Sequence, residues 1–228
     1  MSRFAIIPAY NEEKNIGQVL KEVKKLGVTP IVVDDGSTDD TFGISKKNGA
    51  ITIRHERNKG KGESIKSGID YLLKHHPDFT CVVLMDADMQ YHPKEAMAIF
   101  NALEKNKSDF VMGHRNWEEV PLRHQLGNFV WRNAFNILFG TSLKDTNCGL
   151  IGISRNAIEK IKGYIIGGYV VDNSILIGVI KNKLKIDQVP VKVVYHRKSG
   201  VTRGITIVAG VLIYIVKEGL KYRLGRKR

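Results

Sequence analysis

Cysteine is scarce: only Cys81 and Cys148 occur in 228 residues, far apart and without a second Cys or His at ligand spacing. That excludes a disulfide framework and a zinc cluster and predicts two free thiols. The amino terminus lacks the basic start and the apolar stretch of roughly 7–15 residues that a secretory signal requires, so the chain is expected on the cytoplasmic side. Nor is there an apolar run near the ~20 residues of a membrane span. The run at 205–216 is shorter and suits an interfacial or a core helix. Acidic residues nearly vanish toward the end: from Lys192 onward, ten Lys and Arg face Glu218 alone, which places +9 of the net +13 there. Such charge calls for an anionic partner, whether nucleic acid, phospholipid headgroup or phosphorylated substrate. No helix-turn-helix, zinc-finger or aromatic RNP-type strand motif is present, which argues against nucleic acid.

With 43% hydrophobic and 26% charged residues, the chain can bury one sizeable core. In the first half, short apolar runs at 4–8, 30–34, 51–55, 81–86 and 110–113 alternate with helix-period segments. This βαβ pattern predicts an α/β fold with a mostly parallel, buried central sheet flanked by helices. Ile16, Val19, Leu20, Val23 and Leu26 form one helical face, with Gly27 as the stop. The second half predicts helices at 122–139 and 172–183 and strands at 150–153 and 186–195. Polar or glycine-rich residues follow the strand ends, the edge at which open α/β sheets bind ligands.

Asp86 and Asp88 close the apolar run Cys81-Val82-Val83-Leu84-Met85, which sets two carboxylates at the mouth of a buried strand. Hard cations such as Mg²⁺ or Mn²⁺ on a diphosphate take such ligands, and Gln90 could add an amide oxygen. The tripeptide alone more often describes a solvated turn; its strand-end position and the neighbouring motifs shift the reading toward the cation. Asp34 and Asp35 also end an apolar run, and adjacent carboxylates need base N–H groups, ribose hydroxyls or a cation to accept their charge. Ser37 or Thr38 there would cap a helix starting at Asp39. Asn58-Lys59-Gly60-Lys61-Gly62 lacks Walker A spacing and reads either as a flexible helix start or as a nucleotide contact, with Lys61 in it. No Gly-x-Gly-x-x-Gly follows the first strand, so a dinucleotide-binding reading fails. Trp117 and Trp131 could be packing, interfacial or sugar-platform residues, and His75 and His76 suit a helix C-terminus.

These segments, taken in order with Ile7-Pro8-Ala9-Tyr10-Asn11-Glu12-Glu13, Asp86-Ala87-Asp88-Met89-Gln90-Tyr91-His92-Pro93 and Asp145-Thr146-Asn147-Cys148-Gly149, resemble the motif set of inverting family 2 glycosyltransferases. Within that family the chain is similar to the dolichyl- or polyprenyl-phosphate mannose or glucose synthases, over about residues 4–203. The resemblance implies a GT-A fold, a GDP- or UDP-linked sugar donor and Mg²⁺ or Mn²⁺. It assigns base and ribose to Pro8, Tyr10, Glu12, Asp34 and Asp35, and the metal to Asp86, Asp88 and Gln90. Arg115, Arg132, Arg197 and Arg203 fall where the family keeps cations for an acceptor phosphate. Arg203, in Ser-Gly-Val-Thr-Arg, departs from the Ser-Lys pair of the lipid-phosphate enzymes.

The expected reaction is transfer with inversion to a polyprenyl or dolichyl phosphate, with Asp88 and Arg115 at the reacting centre. The alternative is a saccharide acceptor in surface-polysaccharide or glycan assembly, whose hydroxyl needs a base. Asp172 is the candidate for it, and an N-cap for the following helix is its other reading. Residues 1–203 would form the catalytic domain. Residues 204–228 would form an apolar-then-basic tail that either covers the domain or lies on the cytoplasmic face of a membrane, about 18 Å long as a helix over 205–216.

Overall fold

The computed structural model describes residues 2–117, 120, 122–194 and 201–225; within these, no side chain is described for 122–124, 126 and 201–206. Seven strands, β1 (Arg3–Ala9), β2 (Thr29–Asp34), β3 (Ile51–Arg54), β4 (Cys81–Leu84), β5 (Phe110–Arg115), β6 (Ile151–Ser154) and β7 (Ile186–Val191), form one sheet in the order β3-β2-β1-β4-β6-β5-β7. All neighbours are parallel except β6, which runs antiparallel to β4 and β5. Phe4, Ala5, Ile6 and Ile7 of β1 are all buried, as a central strand covered on both faces requires.

The helices are α1 (Ile16–Lys25), α2 (Thr41–Lys47), α3 (Lys61–His75), α4 (Ala96–Asn106), α5 (Leu122–Phe139), α6 (Arg155–Ile161), α7 (Val171–Lys181) and α8 (Val201–Gly225). The predicted face of α1 is the buried one, through Ile16, Val19, Leu20 and Val23. Gly27 ends that helix in a left-handed conformation, φ 69°: its N–H reaches the Lys24 carbonyl and the Val28 N–H reaches that of Val23, a Schellman closure.

Several boundaries differ from the sequence reading. β4 stops at Leu84, so Asp86 lies in the loop beyond it. The last strand ends at Val191, after which an isolated bridge joins Val193 to Tyr91; Tyr195 lies outside the described residues. The helix expected from Asp39 begins at Thr41, and its hydroxyl neighbours do not cap it: Ser37 Oγ accepts from the Asn11 N–H, while the Thr38 N–H donates to Asn11 Oδ1. The two βα loops are thereby tied to each other.

The largest difference is α8, whose 25 residues make it about 37 Å long, roughly twice the expected length. The basic stretch continues the helix because Lys, Arg and Leu are good helix formers and because one face is covered. Val211 and Ile215 are buried, Gly219 lies against Leu138, and Tyr222 meets the Phe139 ring at 5.3 Å. Trp131 of α5 donates to the Val208 carbonyl at 3.0 Å, so it is a packing residue between the two helices. No described helix is long and apolar enough to cross a membrane.

Candidate active site

The sheet order reverses at β1: the chain runs outward to β2 and β3, then returns to place β4 on the other side. Loops leaving the carboxyl ends of β1 and β4 therefore diverge and open a crevice. A cavity of about 380 Å³ lies there. It is lined by Pro8 near the end of β1, Tyr10 and Glu12 after it, Asp35 after β2, Asn58, Gly60, Lys61 and Ser64 at the start of α3, Asp86 and Asp88 after β4, and Tyr169 before α7. Seven of the residues singled out from the sequence thus converge on one cavity, from four loops.

The adjacent carboxylates Asp34 and Asp35 are resolved in opposite directions. Asp34 is fully buried, accepts the Ser37 N–H at 3.1 Å and faces the Arg54 Nε at 3.1 Å, away from the cavity. Asp35 reaches the cavity edge but is held by the protein: it accepts the N–H of Lys59 at 2.9 Å and of Gly60 at 2.8 Å. His55 Nδ1 lies 2.7 Å from the same carboxylate, which can only accept, so this ring nitrogen carries the proton. Nε2 lies 2.9 Å from the Ser67 hydroxyl of α3. Charge repulsion between the two carboxylates is offset by an arginine, a histidine and three backbone N–H groups. Asp35 thereby fixes the Asn58–Gly60 loop, and Gly60, at φ 92°, turns the chain into α3.

Lys61 opens α3 and projects into the cavity, 2.7 Å from Asp86 Oδ1 and 3.5 Å from Asp172 Oδ1. Burial pushes Asp172 above the usual carboxylate range, against the opposing pull of Lys61. Asp172 sits in the first turn of α7, whose cap position is Val170, so it does not serve as the N-cap. The N–H of Gly62 donates to the Gly167 carbonyl at 3.0 Å, and a side chain at Gly62 would run into that oxygen. This close approach brings the Tyr169 loop against α3; Tyr169 itself is 70% exposed over the cavity. At Gly149, a Cβ would overlap Asp86 Oδ2, which makes the last motif a cradle for the first carboxylate of the Asp-x-Asp pair.

Asp86 and Asp88 present hard oxygen donors to the cavity and so fit a divalent cation. Gln90 does not line the cavity, and its N–H donates to Asp88 Oδ1 at 3.0 Å, which orients that carboxylate. Among the described residues no group of three or more His, Cys, Asp or Glu could hold a metal, so a cation there needs oxygens from a ligand.

Of the four arginines expected at an acceptor phosphate, Arg115 and Arg132 do not line this cavity. Arg115 ends β5 nearly buried, with two N–H groups on Asp145 at 2.7 and 2.9 Å and others on Asn128 Oδ1 and the Asn147 carbonyl. Its Nε and Nη2 donors are taken up inside the protein. Arg132 lies over Trp117 at 5.0 Å and donates weakly to the Lys144 carbonyl at 3.4 Å. Trp117, flanked by Arg115 and Arg132, is a cation–π partner in this arrangement. Arg197 lies outside the described residues, and so does the side chain of Arg203.

Sequence reasoning missed His55, Ser64 and Tyr169. The two glycines before Tyr169 were the available signal for the loop; nothing marked His55, whose role depends on an aspartate twenty positions away.

The sequence and fold have relatives. Residues 4–162 match the family model "Glycosyl transferase family 2". A protein of Methanocaldococcus jannaschii, MJ1222, is 35% identical over 217 residues, covering 92% of this chain and 88% of its own length. The UDP-N-acetylglucosamine--dolichyl-phosphate N-acetylglucosaminyltransferase of Methanococcus voltae is 29% identical, covering 92% of each chain. The crystal structure of glucosyl-3-phosphoglycerate synthase from Mycobacterium tuberculosis with Mn²⁺, UDP and phosphoglyceric acid superposes with a TM-score of 0.78 at 21% identity, over 96% of this chain and 78% of that one. With five motifs in order and a crevice at the β1/β4 reversal, this chain belongs to glycosyl transferase family 2 and is a glycosyltransferase of GT-A fold.

Proposed function

We propose that this glycosyltransferase moves a hexose from a GDP- or UDP-linked donor to a polyprenyl or dolichyl phosphate, with inversion at the anomeric carbon. The observation that carries the donor half is the convergence of the Asp35-held loop, Lys61 and the Asp86/Asp88 pair on one cavity. Pro8, Tyr10 and Glu12 provide the wall for base and ribose, and Lys61 at the start of α3 provides a cation for the diphosphate. Asp86 and Asp88 would hold Mg²⁺ or Mn²⁺, which when bound neutralises charge on the leaving diphosphate. The relative from Methanococcus voltae carries a dolichyl phosphate acceptor in its name and matches this chain nearly end to end.

The acceptor half is supported by the dolichyl phosphate in that relative's name. A hydroxyl acceptor needs a base, for which Asp172, paired with Lys61 and raised by burial, is the candidate. A phosphate arrives ionised and needs no proton removed. Lys61 is then the residue that holds Asp86 and Asp172 in place and meets the diphosphate.

The test has two arms. UDP- and GDP-sugars are screened for cation-dependent thermal stabilisation, since ligand at 100 times its Kd adds about 2.7 kcal/mol. Transfer is then measured to a short-chain prenyl phosphate and to saccharide acceptors. Asp88→Ala is expected to keep the fold and lose cation-dependent transfer. Full EDTA-sensitive activity in that variant removes the pair as cation ligands, and transfer to saccharides alone replaces the acceptor.

A further inference from the structure

Of the eleven large apolar side chains exposed among the described residues, seven lie on α5 and α8. Phe129, under the Arg132 guanidinium at 5.6 Å, is one. The others are Val130 and Ile137 on α5 and Ile213, Val216, Leu220 and Leu224 on α8.

The two helices run parallel, because contacts ascend together: Trp131 with Val208, Leu138 with Gly219, Phe139 with Tyr222. At about 100° per residue, the four exposed α8 positions share a sector of roughly 80° lying opposite the buried Val211 and Ile215. On α5, Val130 and Ile137 are seven residues apart, hence on one side, opposite the buried Phe135 and Phe139. Both stripes therefore point away from the body of the protein and form one outward face. From Ile213 to Leu224 it extends about 17 Å.

Among the described side chains of α5 and α8, every charge except that of Glu218 is positive. Residues 122–139 contain no Asp or Glu. Lys217 and Lys221 follow the apolar stripe on α8, and Arg223 donates to the Ile137 and Leu138 carbonyls at the end of α5. The one acid of α8, Glu218, is engaged by Lys181 of α7 at 3.3 Å and by Lys221 at 2.7 Å. A second copy of this chain would set two cationic rims against each other, and a nucleic acid would leave the apolar centre unsatisfied. An anionic bilayer surface satisfies both parts of the face.

We propose that the outward face of the paired helices α5 and α8 seats the enzyme on an anionic lipid surface, lying in the interface without crossing it. This deepens the lipid-phosphate reading and rests on it for its purpose: such a seat would bring the site to an acceptor embedded in a bilayer.

The test uses the full chain and phosphatidylcholine vesicles with or without phosphatidylglycerol, free of any prenyl phosphate. The variants are Ile137→Glu and Leu220→Glu, at side chains 71% and 50% exposed, so that the core is left intact. The wild type is expected to sediment with phosphatidylglycerol-containing vesicles and to be released by salt. Each variant should bind at least about tenfold more weakly, the loss of one inserted large apolar side chain, while retaining its circular dichroism and donor binding. Absence of wild-type binding, binding indifferent to phosphatidylglycerol, or undiminished binding by Ile137→Glu overturns the proposal. So does a wild-type dimer that Ile137→Glu dissociates with vesicle binding unchanged, which makes a second copy the occupant. Vesicle binding without transfer to any prenyl phosphate upholds the seat and refutes the acceptor; transfer to a soluble prenyl phosphate without vesicle binding does the reverse.

Discussion

Replacing Asp35 by Asn tests whether this residue reads the nucleoside directly or acts by fixing the loop beside it. The carboxylate accepts three N–H groups, from Lys59, Gly60 and the His55 ring, and is 4% exposed. An amide has one oxygen, so its NH₂ must face at least one of those donors, and the charge that strengthens the remaining bonds is gone. Loss of a bond to a charged group is worth about 1.5–3 kcal/mol, and an orphaned buried N–H adds about 1–3 kcal/mol. With partial rearrangement, the expected loss of stability is about 2–4 kcal/mol. Urea denaturation reads this as a lower midpoint at unchanged m-value. Because the Asn58–Gly60 loop forms one wall of the cavity, donor KM should rise by more than kcat falls. His55→Gln, which leaves the carboxylate with both backbone donors, should move stability and KM in the same direction by less. Unchanged stability of Asp35→Asn together with lost donor binding would refute the anchoring role and return Asp35 to direct base contact.

Three further outcomes are expected. Asp145→Ala strands a nearly buried Arg115 guanidinium and should cost about 3–5 kcal/mol in urea; a loss under about 1 kcal/mol would show Arg115 free to serve an acceptor. Gly149→Ala should leave the melting temperature nearly unchanged, because the overlapped atom is the end of the Asp86 side chain, yet weaken cation-dependent donor binding at least about tenfold; unaltered binding removes Asp86 from that role. Burial raises the Asp172 pKa, so the native state holds that proton more tightly than the unfolded chain. Its contribution is then present at acid pH and declines as pH rises from the ordinary carboxylate value toward the raised one. Asp172→Asn should therefore gain stability relative to wild type as pH rises above the ordinary carboxylate value of about 4, and a relative loss would show the Lys61 pairing to be the larger effect.

Much of this protein was legible in its residues because the signals were local. The buried run Phe4-Ala5-Ile6-Ile7, the apolar face of α1 and the Gly27 stop depend on periodicity and on backbone freedom within a few positions, and the structure keeps each. Asp86 and Asp88 could be placed at a ligand edge because a parallel strand must deliver its carboxyl end there. Tertiary structure decided the rest, since it depends on partners distant in sequence. Asp34 and Asp35 are neighbours with the same chemistry, yet Arg54 turns one away from the cavity while His55 and the Lys59 and Gly60 N–H groups hold the other at its edge. Arg115 reads as a free cation until Asp145, thirty residues on, takes up its guanidinium. The apolar segment at 205–216 is equally a core helix and an interfacial one when viewed alone. In the fold it is part of a 25-residue helix with one face on α5 and the other outward, because a helix surrounded by protein on only one side must leave the opposite side uncovered.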